Sequence, residues 1–310
     1  MKGFFKYIVF PLLAVAIVGC SDADDYNADT AISPYEPVPE RRLVSQVSTT
    51  DTIDGRAYLW EYNFSYDVHN RIKEINSKIV GYVDEEFVNI TRYYKCSKTS
   101  KVNYYYLGND FRIEYSASHE YPEYPAWNGS QSAKWYGAFN SNGTLAEYST
   151  MDFEYNATQL KAVYLDGGNV YEIKRDTRGN VTGYVKLEQT NVGADRVVAD
   201  YGNECRYSSF RNNTNFDFSG YFGFWGIEKS LPMEYIEYYA PYQLTAFGML
   251  GATSAYLPLS MLSRNDKGEI VKDDDGNDVY LSGEWVRDEA GYPLEFVEET
   301  GRKTEIKYVD

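Results

Sequence analysis

Strict alternation of aromatic and other side chains is the feature that most limits how this chain can fold. Residues 58–66 read Tyr-Leu-Trp-Glu-Tyr-Asn-Phe-Ser-Tyr, so every second side chain is aromatic. A period of two places these rings on one face of a β-strand. The turn-forming residues 51–55 come just before it, so residues 41–66 are predicted to form a hairpin. Because the chain holds 32 Tyr, 15 Phe and 5 Trp, aromatic strands are expected along most of its length.

A turn motif recurs between the predicted strands. Each copy has Asp or Asn, then Gly or Asn three residues later, then an aliphatic residue that starts the next strand. The first side chain can accept hydrogen bonds from the turn backbone, and Gly or Asn tolerates a positive φ. Each copy is therefore predicted to be a hairpin corner and not an active site. The copies are residues 66–72, 139–145, 175–181, 264–270 and 287–294, with a shortened copy at 155–160 and a further start at 272–276.

The repeats resemble the YD-type repeats of Rhs-like proteins. The whole arrangement, including the stretch Phe-Gly-Met-Leu-Gly-Ala-Thr-Ser-Ala-Tyr-Leu-Pro at 247–258, resembles a family of uncharacterised Bacteroidetes-type outer-membrane lipoproteins with a curled, porin-like antiparallel sheet. The resemblance covers most of residues 41–310. It implies a shape and a location only, since the function of that family is itself unknown.

The predicted fold is mainly β: a single large antiparallel meander sheet, curled or partly open as a barrel. Residues 206–262 interrupt the strand pattern, and Pro232, Pro241 and Pro258 prevent a long helix there. We expect short helices in roughly 215–262. The apolar character of this stretch predicts a plug that buries the inner face of the sheet.

The N-terminus has the form of a lipoprotein signal. A basic, apolar leader ends in Ile-Val-Gly-Cys at 17–20, which resembles the bacterial lipobox. The alternative, a membrane-spanning helix, needs about 20 apolar residues, and this run is shorter. We predict a signal peptide at 1–19, attachment of diacylglycerol and a palmitate-type acyl chain at Cys20, an acidic, Pro-containing tether at 20–40 and a β domain at 41–310.

Charge and the tether predict where the protein works. Residues 21–25, Ser-Asp-Ala-Asp-Asp, resemble the surface-export signal of Bacteroidetes-type lipoproteins. The predicted location is the outer membrane, lipid-anchored and facing the cell surface, with the periplasmic face as the alternative. The 30 Lys and Arg residues are outnumbered by 46 Asp and Glu residues, which excludes nucleic acid as a partner.

Few residues are suited to catalysis or metal binding. The chain has only two histidines, His69 and His119, and no Gly-x-Ser-x-Gly sequence, so no enzyme is predicted. A carboxylate-dependent hydrolase remains the alternative because acidic residues are abundant. No cofactor is predicted apart from calcium, for which the spacing of an EF-hand-type loop gives four candidate ligands. These are Asp273, Asp275, Asn277 and Glu284, and an acidic hairpin turn is the competing interpretation.

Two cysteines and three aromatic residues complete the candidates. Cys96 and Cys205 either pair in a disulfide or remain free thiols. Trp127, Trp135 and Tyr136 lie in or near a stretch rich in Pro, Gly and Asn, so they are candidate ligand-binding residues, or they cover the sheet core. The predicted function is a non-enzymatic binding or structural module for a glycan, a peptide or an envelope protein. The alternative is a carrier of an apolar ligand within the curled sheet.

Overall fold

A computed structural model describes most of the predicted β domain. The described residues are 41–87, 90–149, 151–165, 169–189, 195–201, 205–218, 244, 246–262, 270–273 and 275–310. The predicted signal peptide, Cys20 and the predicted tether lie outside these residues.

Within the described ranges, seventeen strands in one sheet confirm the predicted mainly-β fold class. The strands are β1 Val44–Ile53, β2 Arg56–Tyr66, β3 Ile72–Phe87, β4 Ile90–Leu107, β5 Asp110–Glu120, β6 Gly129–Phe139, β7 Leu145–Tyr148, β8 Met151–Asn156, β9 Gln159–Leu165, β10 Asn169–Arg175, β11 Val181–Gln189, β12 Asp195–Tyr201, β13 Cys205–Arg211, β14 Tyr256–Leu262, β15 Tyr280–Arg287, β16 Pro293–Glu298 and β17 Lys303–Tyr308. A short 3₁₀ turn spans Pro125–Trp127. The short helices expected in roughly 215–262 fall mostly outside the described residues, and the described part of that stretch includes strand β14.

The sheet is an antiparallel meander that curls back on itself. Each strand pairs with the next from β1 to β12 and from β13 to β17. Strand β1 also pairs with β17, which joins the first and last strands. Side chains bridge the remaining seam: Tyr207 of β13 donates a hydrogen bond to the carbonyl of Val181, and Arg178 donates to the carbonyl of Ser208. The result is a nearly closed barrel.

In the described residues the recurring motif forms hairpin corners, as predicted, whereas most of the copy at 264–270 lies outside those residues. In each described corner the N–H of the first residue donates to the carbonyl of the fifth, and the N–H of the fourth donates to the carbonyl of the first. The fourth residue has a positive φ, between 61° at Asn70 and 87° at Gly291. The corners are residues 67–71, 140–144, 176–180, 273–277 and 288–292. A further corner, residues 298–302, was not predicted because Glu298 stands where the motif has Asp or Asn.

The first corner contains a buried ion pair. Asp67 and Arg71 have side chains that are both 2% exposed, with a nitrogen–oxygen distance of 2.6 Å. The other Asp67 oxygen accepts the N–H groups of His69 and Arg71, and the guanidinium lies 4.3 Å from the centre of the Tyr106 ring. Because removing one partner of a buried pair leaves an uncompensated charge, this corner is also an anchor between β2, β3 and β4.

Two described segments after β13 pack on the inner face of the curl, as predicted for the plug, and residues 219–243 and 245 lie outside the described residues. We use the name plug for residues 212–218, 244 and 246–255. Its rings pack on the inner face of the wall: Phe247 and Phe216 lie 5.1 Å and 5.5 Å from the ring of Phe64 in β2. Phe218 lies 5.2 Å from Trp285 in β15. The plug, the first strand and the last strand therefore share one apolar core.

Hydrogen bonds seat the plug against strand ends. The amide of Asn215 donates to the hydroxyl of Tyr66, and its carbonyl oxygen accepts the N–H of Val44. On the opposite side the N–H of Leu145 donates to the carbonyl of Met249. Buried polar groups thus have partners on the wall, and the plug is fixed in register with it.

The close approach of β6 to its neighbours requires Gly137. A Cβ atom at this position would lie 2.2 Å from the Phe111 ring and 2.7 Å from the carbonyl oxygen of Glu147. We expect Gly137→Ala to lower the free energy of unfolding by about 1–3 kcal/mol, because a packed ring and a backbone carbonyl must move. Urea denaturation measures this. Gly129→Ala is the matched control, since nothing lies within 4 Å of its added carbon, and equal midpoints for both variants would contradict the packing described.

Candidate ligand-binding surfaces

The three aromatic residues singled out in the sequence lie in three different places. Trp135 is 9% exposed and belongs to the core, as the alternative interpretation had it. Tyr136 is 62% exposed and points to the opposite face of β6, since consecutive strand residues alternate. Trp127 is 47% exposed and lies in the turn between β5 and β6. They do not form one site.

Trp127 belongs to an aromatic group at one end of the sheet, which we call the rim cluster: Tyr94, Tyr121, Tyr124 and Trp127. The Tyr124 and Trp127 rings are stacked, with centroids 4.8 Å apart and an angle of 19°. Both rings form T-shaped contacts with the ring of Tyr94. The ring centroids are 4.9 Å apart for Tyr124 and 5.2 Å apart for Trp127. Tyr94 is consequently only 7% exposed, whereas Tyr124 and Trp127 remain 39% and 47% exposed.

Local hydrogen bonds hold the rim cluster in place. The side-chain oxygen of Asn128 accepts the N–H of Tyr121 at 2.7 Å. The N–H groups of Tyr124 and Trp127 donate to the carbonyls three residues before them, at 3.0 Å and 2.9 Å. Pro125 begins the 3₁₀ turn, where its fixed φ is favourable. The exposed rings are therefore positioned by the loop itself.

The inner face of the sheet changes from apolar to polar between the plug and the rim cluster. Strand register places Phe64, Ile75 and Val102 side by side next to the plug. One step further from the plug, Ser77 and Ser100 are paired, with hydroxyl oxygens 2.6 Å apart. The next step aligns the half-buried residues Trp60, Ile79, Lys98 and His119.

The inner-face residues between the plug and the rim cluster form a partly polar strip, which we call the trough. We define the trough as Trp60, Ser77, Lys98, Ser100, His119 and Gln131. Tyr94 and Lys98 are both even-numbered residues of β4, whose pairing with β3 and β5 is continuous, so they share the inner face. The rim cluster therefore lies next to the trough on the same face of the sheet. Sequence reasoning missed Lys98 and His119 as neighbours because they are far apart in the chain.

The hairpin corner at residues 298–302 places charged side chains at the border of the trough. The guanidinium of Arg302 lies 5.4 Å from the centre of the Trp60 ring. Its partner Glu298, at 3.6 Å, is 8% exposed, and burial raises the pKa of this carboxyl group while Arg302 opposes the rise. Thr300 also donates to the Glu298 carboxylate. This carboxylate is engaged in holding the corner.

The candidate calcium loop is a hairpin corner. One carboxylate oxygen of Asp273 accepts the N–H groups of Asp275 and Asn277, at 3.0 Å and 2.8 Å, and the other accepts the Asn277 amide at 3.2 Å. Glu284 lies in β15. Within the ranges that the structure describes, no group of three or more His, Cys, Asp or Glu side chains is placed to hold a metal ion. Calcium binding at these residues stays a prediction.

The structure has no disulfide between Cys96 and Cys205, which agrees with the second of the two alternatives that the sequence left open. Cys96 lies in β4 and Cys205 in β13, and the pairing order places seven strands between them in the shorter direction. Two strands on opposite sides of a curled sheet are too far apart for a disulfide. Burial raises the pKa of the Cys96 thiol.

Comparison with known proteins gives a structural likeness but no family. Neither the models of protein families nor the curated proteins contain a match to this sequence. A porin-like protein from Bacteroides uniformis has a solved structure that is similar, with 12% sequence identity and a TM-score of 0.42. The alignment covers 89% of this chain and 100% of that chain. Among the described residues, no helix has the length and apolar character needed to span a membrane.

Proposed function

We propose that this protein is a lipid-anchored cell-envelope module that binds a glycan without catalysing a reaction, and that the rim cluster and the trough form its binding site. The observation that carries the proposal is the stacked, exposed pair Tyr124 and Trp127. Exposed rings held rigidly by their own loop lose little conformational freedom when a ligand binds.

The chemistry of the site suits a sugar chain. The C–H face of a pyranose ring packs on an aromatic ring, which the rim cluster supplies. Sugar hydroxyls need donors and acceptors close by, and the trough supplies the ammonium of Lys98, the imidazole of His119 and the amide of Gln131. Aromatic rings beside a few polar groups are the usual lining of a small-ligand site.

The direction of the first strand supports this use of the rim cluster. The chain enters the domain at Val44, which pairs with Tyr308 and bonds to Asn215 of the plug. Strand β1 then runs away from the plug to the turn at 54–55, and the rim cluster lies at that same far end. A lipid on Cys20 would therefore hold the plugged end toward the membrane, with the rim cluster facing outward.

The alternative of an apolar carrier is less well supported. A carrier requires a sizeable apolar cavity behind the wall. Among the described residues, the space between plug and wall near Leu160, Ile173 and Leu250 has a volume of about 10 Å³. Such a volume holds about one water molecule. A peptide or an envelope protein as the ligand of the rim cluster remains an outcome that the experiment below distinguishes.

Trp127→Ala should weaken glycan binding about tenfold, since loss of one stacked ring costs about 1.4 kcal/mol. Affinity electrophoresis through gels that contain neutral polysaccharides measures the effect. Phe210→Ala, which removes a ring of 36% exposure on β13, is the matched control and should bind as the unaltered protein does. The proposal fails if no polysaccharide retards the unaltered protein, or if Trp127→Ala migrates as the control does. Binding of envelope proteins or peptides but not polysaccharides would identify the other ligand class.

Cys20→Ser should abolish lipid attachment, because a hydroxyl group does not replace the thiol that takes the diacylglycerol. Labelling of cells with palmitate and separation of membranes from soluble material measure the result. The expected outcome is a labelled, membrane-bound parent protein and an unlabelled variant in the soluble fraction. A variant that remains in the membrane fraction would contradict the anchor, and protease treatment of intact cells tests whether the parent faces the surface.

A further inference from the structure

The outer face of β4, β5 and β6 carries a second concave surface, which we call the outer groove. Strand register places Asn103, Glu114 and Lys134 side by side, and Ser116 pairs with Ser132 one step along the strands. These residues line a groove of about 440 Å³. This volume lies within the range of about 300–1,000 Å³ that is typical of small-molecule sites.

A fixed charge pair forms one wall of the outer groove. The Lys134 ammonium lies 2.8 Å from the Glu114 carboxylate, and the Tyr105 hydroxyl donates to the same carboxylate at 3.3 Å. Burial alone would raise the pKa of Glu114, but Lys134, Arg112 and Tyr105 together lower the pKa below its ordinary value. Glu114 is therefore an ionised acceptor that is held beside an ammonium donor.

One exposed ring lies beside the charge pair. Tyr136 is two residues after Lys134 in β6, so its side chain points to the same outer face. Tyr136 pairs across the strands with Arg112 of β5. The Arg112 guanidinium lies 4.5 Å from the centre of the ring of Tyr105, which belongs to β4 on the other side of β5. Tyr136 is 62% exposed, more than either exposed ring of the rim cluster.

We infer that the outer groove is a second carbohydrate-binding site, which takes one or two pyranose rings. The ring of Tyr136 offers a stacking surface for the C–H face of a sugar. Adjacent sugar hydroxyls each need to donate and to accept, and Glu114 beside Lys134 provides a charged acceptor and a charged donor at neighbouring positions. Asn103, Ser116 and Ser132 add neutral donors and acceptors. This polar lining suits a sugar better than an apolar ligand.

The two sites face opposite sides of the sheet. Trp127 packs on Tyr94 of the inner face, whereas Lys134 and Tyr136 point outward. A protein with both sites can hold two sugar chains at once, or two parts of one branched chain, and gains avidity from the second contact. The outer groove nevertheless stands on its own contacts and does not depend on the rim cluster.

Calorimetric titration with maltose, cellobiose, lactose and xylobiose tests the outer groove. At least one disaccharide should bind the unaltered protein with saturable heat. Tyr136→Ala should reduce that affinity about tenfold, and Glu114→Gln should also weaken it. Tyr136→Phe, the matched control that keeps the ring, should stay within about twofold of the unaltered protein. Thermal melting checks that each variant is folded.

The outcomes separate the two sites. Loss of disaccharide binding in Tyr136→Ala with full binding in Trp127→Ala supports the outer groove, whatever happens to polysaccharide binding at the rim cluster. Loss only in Trp127→Ala overturns the outer groove and leaves the proposed function intact. Absence of saturable binding of all four disaccharides by the unaltered protein, or equal affinity of the parent and Tyr136→Ala, also overturns it.

Discussion

Contact between the plug and the inner face of the sheet is the interaction on which the rest of the structure depends. A sheet of this many strands that curls into a ring encloses a space wider than its own side chains can fill. Here Phe216 and Phe247 pack against Phe64 and remove the inner face from water. Asn215 and Met249 add hydrogen bonds that bind the plug to β1, β2 and β7. The plug therefore stabilises the curled shape of the sheet in addition to the pairing between strands.

The depth of the plug determines which part of the inner face stays outside the core. Near the plug the inner face is apolar, at Ile75 and Val102, and these side chains belong to the core. Further along the same strands the inner face holds Lys98 and His119, which are half-buried and lie under the rim cluster. The outer groove occupies the other side of the same strands. Long strands β3 to β6 thus supply the core at one end and candidate binding surfaces at the other.

Much of this fold could be predicted from local patterns. Alternation at 58–66 indicated a strand, and the Asp or Asn and Gly spacing located hairpin corners, because both signals act over a few residues. The corner at Glu298 was missed, since glutamate at the first position does not fit the Asp or Asn pattern. Predicting that Trp135 lies in the core and Tyr136 outside requires knowing which face of β6 is inward, and only the strand register decides that.

The candidate sites depended on register even more strongly. Lys98 and His119 become neighbours only because β4 and β5 pair without a slip. Glu114 and Lys134 meet in the same way across β5 and β6. A count of residues through each hairpin gives these pairs once the turns at 108–109 and 121–128 are known, but the recurring motif does not mark those turns. Counting residues through hairpins could not give the position of the plug, because its contacts join β2 to residues far away in the chain.

The free energy of unfolding of Phe247→Ala tests most directly whether the plug holds the curled sheet together. If it does, this variant should lose about 3–5 kcal/mol of stability in urea, with a single transition for the whole domain, because a buried ring shared by plug and wall is removed. Phe210→Ala, with a ring on the surface, should change stability by less than about 1 kcal/mol. A Phe247→Ala midpoint equal to that of the parent, or a separate early transition that leaves the sheet folded, would contradict the account.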